Sequence, residues 1–90
     1  MKRAIVTVVG KDSVGIVAKV STHLANSNVN ICDITQTIYQ GFFNMMMIVD
    51  LESMSKEFAL FACELEELGN DIGCTIKAQR EEIFNKMHRI

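Results

Sequence analysis

The chain has no proline and no tryptophan, and no stretch of it reads as a linker between domains. It also lacks a basic stripe: nine Lys and Arg face eleven Asp and Glu, a formal charge of −2. The electrostatic footprint of a nucleic-acid binder is therefore missing. No long hydrophobic run is present. The apolar run after Lys2-Arg3 is about seven residues, far too short for a signal-peptide core or a membrane span. The chain reads as cytoplasmic, with no membrane partner. Cysteine is sparse and odd in number. Cys32, Cys63 and Cys74 stand at unrelated spacings, which give neither a disulfide framework nor a metal knuckle. They are expected as small buried side chains in a reducing compartment.

What is present is apolar surface. Apolar residues make up 49% of a 90-residue chain. A domain this small hides only ~60% of the surface its unfolded form exposes. Part of the apolar complement is therefore expected in a subunit interface. A homodimer or higher oligomer follows, and a monomer mass by light scattering would contradict it.

Ala4 to Val9 is a β-branched run with apolar residues at both parities, which predicts a central strand buried on both faces. Gly10 closes it. Asp12 or Ser13 is placed to cap a helix in which Ile16, Val17, Val20 and Leu24 form the apolar stripe. Asn26-Ser27-Asn28 ends that helix, since Asn tolerates the left-handed conformation common at helix ends. Val29 to Gln40 is a second strand whose apolar residues change parity: Val29 and Ile31, then Ile34 and Ile38. Strict alternation cannot bury all four on one face, so a bulge is predicted near Cys32-Asp33. Its polar content suits an edge. Gln40-Gly41 makes a tight hairpin turn into Phe42 to Leu51, a second central strand. Met45-Met46-Met47 lies there. Consecutive strand residues alternate faces, so three sulfurs cannot converge on one ion, and these methionines read as core filler.

Ser53 or Ser55 is expected to start the second helix. Phe58, Phe61, Leu65 and Leu68 form its stripe, Glu57, Glu64, Glu66 and Glu67 its solvated face, and Gly69 its C-terminal cap. Leu60 falls off the stripe. Ile72, Cys74, Ile76 and Ala78 then alternate as the other edge strand. Residues 80–90 place Ile83, Phe84, Met87 and Ile90 at helical spacing, a short C-terminal amphipathic helix beyond a domain of residues 1–79.

Two split β-α-β units make an α+β, ferredoxin-like βαββαβ sandwich. Burial alone puts strands one and three inside, giving a four-stranded antiparallel sheet of order 4-1-3-2 with both helices on one face.

Enzyme readings find little purchase. The first strand–helix turn has only Lys11 as a cation, where acylphosphatases of this topology carry an Arg and a glycine-rich cradle. No Ser–His–Asp or Cys–His signature is visible. His23 reads as a boundary residue of the first helix and His88 as a cation in the last turn of the tail. The first turn also lacks the Cys-x-x-Cys of copper chaperones, and the first strand lacks the exposed aromatics of RNA-recognition domains. No cofactor or metal is implied.

The Gly10 to Val17 turn remains. Asp12, Ser13 and Gly15 can be a plain helix cap. They can also form an anion site, with the N–H groups of Val14 to Ile16 holding a carboxylate while Asp12 or Asn30 takes an ammonium. A free amino acid presents those two charges.

Lys11-Asp12-x-x-Gly15-Ile16-Val17 after the first strand, with Asn30-Ile31-x-Asp33-Ile34 opening the second, resembles the ACT domain over residues 2–79. With its tail, the chain resembles small free-standing ACT proteins of bacteria, whose relatives include an ACT-type regulator of glycine cleavage. The resemblance implies a non-catalytic regulatory module. It implies a small effector, commonly an amino acid, bound at a subunit interface by Asp12, Ser13, Val14, Gly15 and Ile16, with Asn30 and Ile31. The sandwich is expected to bring the first turn near the start of the second strand, where a neighbouring subunit can complete a pocket. With no fused enzyme or DNA-binding domain in this sequence, the output would pass to a separate protein target. A ligand-free interaction module of the same fold is the alternative, and an acylphosphatase-like enzyme the third reading.

Overall fold

The computed structural model describes residues 2–11 and 15–81. Asp12, Ser13 and Val14, and the tail residues Ile83, Phe84, Met87, His88 and Ile90, lie outside the described residues.

Six elements follow one another: β1 (Arg3–Lys11), α1 (Ile16–Asn26), β2 (Asn30–Tyr39), β3 (Phe42–Asp50), α2 (Phe58–Ile72) and β4 (Cys74–Arg80). The strands form one antiparallel sheet in the order β2-β3-β1-β4, the order reached from burial patterns. The chain adopts the ferredoxin-like sandwich, and its core lies between one face of this sheet and the two helices. Ala4, Val6 and Val8 of β1 point there, with Phe43, Met45, Met47 and Val49 of β3, and Cys74 and Ile76 of β4. From the helices come Ile16, Val20 and Leu24 of α1, and Phe61 and Leu65 of α2.

The predicted bulge is present. The β2–β3 register shifts between Ile31 and Asp33, leaving Cys32 without a partner. That one extra residue puts Ile31 opposite Val49 and Ile34 opposite Met47, so both parities of β2 face the helix side. Gln40 and Gly41 both have positive φ, 50° and 83°, the combination required by a two-residue hairpin turn that matches the twist of its strands. Asn28, just beyond α1, is left-handed at φ 61°.

Several boundaries differ from the sequence reading. Gly10 does not close β1, which runs on to Lys11. α2 begins at Phe58 behind Glu57, not at Ser53 or Ser55. It continues through Gly69 to Ile72, and Gly73 is its left-handed cap. Gly69 has a different task. A Cβ there would lie 2.7 Å from the carbonyl oxygen of Cys74, so the missing side chain lets α2 approach β4. Ile72 consequently ends α2 rather than opening β4, and Val29 is buried just before β2. Val17 is 38% exposed and lies outside the apolar stripe, whereas Leu60 is exposed as its position suggests.

On the face away from the helices the two central strands are covered only in part, with Ile5 at 5% exposure. Val9, Phe42 and Met46, on the face away from the helices, are 45%, 56% and 42% exposed. The expectation of burial on both faces therefore holds at Ile5 and fails at Val9, Phe42 and Met46 within one chain. The methionines do alternate: Met45 and Met47 are in the core, and Met46 is on the open face. Cys74 is buried, but Cys32 and Cys63 are exposed, contrary to the expectation for all three. Cys32 is exposed as the bulged residue of an edge strand.

Candidate functional site

The first strand–helix turn places Gly15 as the N-cap of α1, with φ 90° and ψ 0°. This left-handed conformation costs an L side chain roughly 1–2 kcal/mol, and glycine adopts it freely. Nothing lies within 4 Å of where a Cβ would stand. Gly15 itself stands at the N-cap and has no side chain to cap with; Asp12 and Ser13, expected as caps, lie outside the described residues. The first backbone bond of the helix runs from the Lys19 N–H to the Gly15 carbonyl at 2.9 Å. The N–H groups of Ile16, Val17 and Ala18, ahead of that bond, have no intrahelical partner and lie at the positive end of the helix dipole. Ile16 contributes only its backbone here, because its side chain is 3% exposed and belongs to the core.

Asn30 and Ile31 are elsewhere. Asn30 stands opposite Asp50, and Asp50 stands opposite Arg3. At the other end of the sheet, Lys11 and Tyr39 both flank Phe42. β1 and β2 therefore run parallel. The Gly15 turn and Asn30 lie at opposite ends of the sheet, roughly 25–30 Å apart at about 3.3 Å per strand residue. A pocket built from both within one chain is excluded. Helix α1 carries the chain back along the sheet before β2 begins, a consequence of the split β-α-β connection that residue spacing alone conceals. Asn30 is exposed, and Ile31 packs against the core.

A second polar group lies between the helices. Lys56 Nζ donates to Glu64 Oε1 at 2.6 Å, and His23 Nε2 lies 3.5 Å from the same oxygen without forming a hydrogen bond. The lysine hydrogen bond holds the Glu64 carboxyl below its ordinary value, against an opposing desolvation effect. The His23 ring stacks on Phe61 at 6.3 Å. The sequence assigned Glu64 to a solvated face. Its partner Lys56 is eight residues upstream and outside the helix, so no helical spacing signals the pair. Burial raises the Cys74 thiol, consistent with a packed side chain rather than a reactive one.

Among the described residues, no group of three His, Cys, Asp or Glu side chains is placed to hold a metal ion. No described helix is long and apolar enough to cross a membrane. Comparison with known proteins adds the decisive observation. The family model for the ACT domain matches residues 2–79. The chain belongs to the ACT domain family. It is 59% identical to a UPF0237 protein of Bifidobacterium longum over 90 residues, covering the whole of both chains. An ACT domain protein from Streptococcus pneumoniae superposes with a TM-score of 0.82 at 40% identity, covering 92% of this chain and 93% of that one. A candidate glycine cleavage system transcriptional repressor superposes with a TM-score of 0.77 at 20% identity, over 88% of this chain and 45% of that one. At that identity the likeness establishes the fold.

Proposed function

We propose that this chain is a non-catalytic sensor, a homodimer that binds a small effector, an amino acid, at its subunit interface and acts on a separate protein target. The observation that supports it most is the Gly15 helix start: a left-handed residue with nothing within 4 Å of where a Cβ would stand. Such a turn suits a carboxylate. The second element of the site, Asn30 and Ile31, must then come from a neighbouring copy, since one chain holds them at the far end of the sheet. Antiparallel pairing of two β2 edges turns the second copy end for end. That brings its Asn30 toward the Tyr39 end of the first, the end that carries the Gly15 turn.

Binding across the interface couples occupancy to dimer stability, because the ligand stabilises only the assembled form. A thermal-shift screen of the amino acids tests the reading. The expected result is a melting temperature that rises with the logarithm of ligand concentration for at least one of them. Gly15→Asp is expected to abolish that shift while Gly15→Asn retains part of it. Both residues tolerate the left-handed region, but only Asp sets a negative charge against the ligand carboxylate. A flat screen across all amino acids removes sensing and leaves an interaction module of the same fold.

A further inference from the structure

A cavity of about 630 Å³ opens at the opposite end of β1 from the Gly15 turn. Eight residue steps along the strand separate the two, roughly 26 Å. The size falls within the range of small-molecule sites. Its apolar part is made by Leu51, Met54 and Phe58. Its walls carry four basic side chains, Lys2, Arg3, Lys56 and Arg80, against two acidic ones, Glu57 and Glu81.

These charges are not equally available. Arg3 is bound to Glu81 at 2.8 Å, and Lys56 to Glu64 at 2.6 Å. Among the described residues, Lys2 and Arg80 pair with no carboxylate. The Arg80 guanidinium instead lies over the Phe58 ring, 5.2 Å from its centroid. A guanidinium drawn to an aromatic ring by its charge still has N–H donors to offer an anion. The first turn of α2 faces the same space through Phe58 and Ala59, and no side chain caps it.

We propose that this cavity is a second binding site, independent of the Gly15 turn, for an organic anion: a carboxylate or phosphate joined to an apolar group. Arg80 and Lys2 take the anion. Leu51, Met54 and the exposed part of Phe58 take the apolar group. Residues of the β1 start, the β3–α2 connection and the end of β4 converge there, so an occupant ties both central strands and α2 to the β4 edge.

The test is an amide-resolved NMR titration of the full chain with phenyl phosphate and, in a second arm, phenylacetate, each to about 10 mM. Saturable shifts are expected at Lys2, Arg3, Leu51 to Ala59 and Arg80, with one or both probes identifying the preferred anion. The Lys2→Gln, Arg80→Gln double variant is expected to weaken binding about tenfold or more, as loss of charge-assisted hydrogen bonds should. Its amide spectrum must otherwise match the parent. Raised salt provides the same check on the unaltered chain, because it screens an exposed anion site. Benzyl alcohol binding as tightly as phenyl phosphate would overturn recognition of the anion. Inorganic phosphate binding as tightly would overturn the apolar half. Shifts confined to Gly15 and its neighbours, or none that saturate, would overturn the site altogether.

Discussion

The two edges of the sheet obey the same alternation rule and end in different states. On β4, Cys74 and Ile76 face the helices and are buried, because α2 lies along that strand and Gly69 lets it come close. On β2, Ile34 and Ile38 face the same side as Met47 and Phe43, yet they are 44% and 59% exposed. Facing the helix side is not the same as being covered. Two helices suffice for three strands, and the far part of β2 is left beside solvent with an unpaired row of backbone groups. Such an edge invites pairing with another chain.

The sharpest way to break this comparison is to truncate one isoleucine on each edge. Ile76→Ala removes a side chain that is 1% exposed and is expected to cost about 2–5 kcal/mol. Ile38→Ala should cost below about 0.5 kcal/mol in the isolated fold. Urea denaturation of both variants measures the gap, and equal losses would mean that β2 is covered in solution. Gly69→Ala comes next, at about 1–3 kcal/mol, because its methyl would press on the Cys74 carbonyl and force α2 off β4. A neutral result in the same melt would show that α2 can shift without penalty.

Ile34→Lys with Ile38→Lys tests the opposite edge. The melting of the isolated fold should barely change, whereas light scattering should show the proposed dimer falling to a monomer. A dimer that survives both lysines places the interface elsewhere, with the open face around Phe42 and Met46 as the next region to alter.

The smallest effect concerns pH. The Glu64 carboxyl is held below its ordinary value of 4.5, chiefly by the Lys56 hydrogen bond. A carboxyl depressed in the folded state contributes stability above its unfolded value and loses it as pH falls through the folded one. Stability should therefore decline below about pH 4.5, and Glu64→Gln should flatten that part of the profile. Thermal melts from neutral pH to acid check it. An unchanged slope in the variant would assign the acid sensitivity to other carboxylates.

Much of the fold was legible because its signals are local. Alternation in β4, the phase change of β2 at Cys32 and the 3-4 stripe of Phe61 and Leu65 each follow from one element's own periodicity. Strand order followed from counting apolar faces, although the second apolar face of β1 and β3 proved to be buried at Ile5 and open at Val9, Phe42 and Met46. Helix ends were less legible. Gly69 looked like a terminator because a glycine inside a helix is costly, and only the nearness of Cys74 explains its place there. Lys56, in the connection before α2, meets Glu64 within it, a pairing that no periodicity encodes. The cavity joins residues from both ends of the sequence, and its Arg80–Phe58 contact has no signature in either segment.

The sequence by itself determined the secondary elements, the strand order and the family, because these depend on side-chain period, turn chemistry and a motif within one short stretch. Tertiary structure decided which apolar faces are covered and where the Gly15 turn stands relative to Asn30. Parallel β1 and β2, joined through α1, put those two motifs at opposite ends of the sheet, and no spacing along the chain reveals that distance.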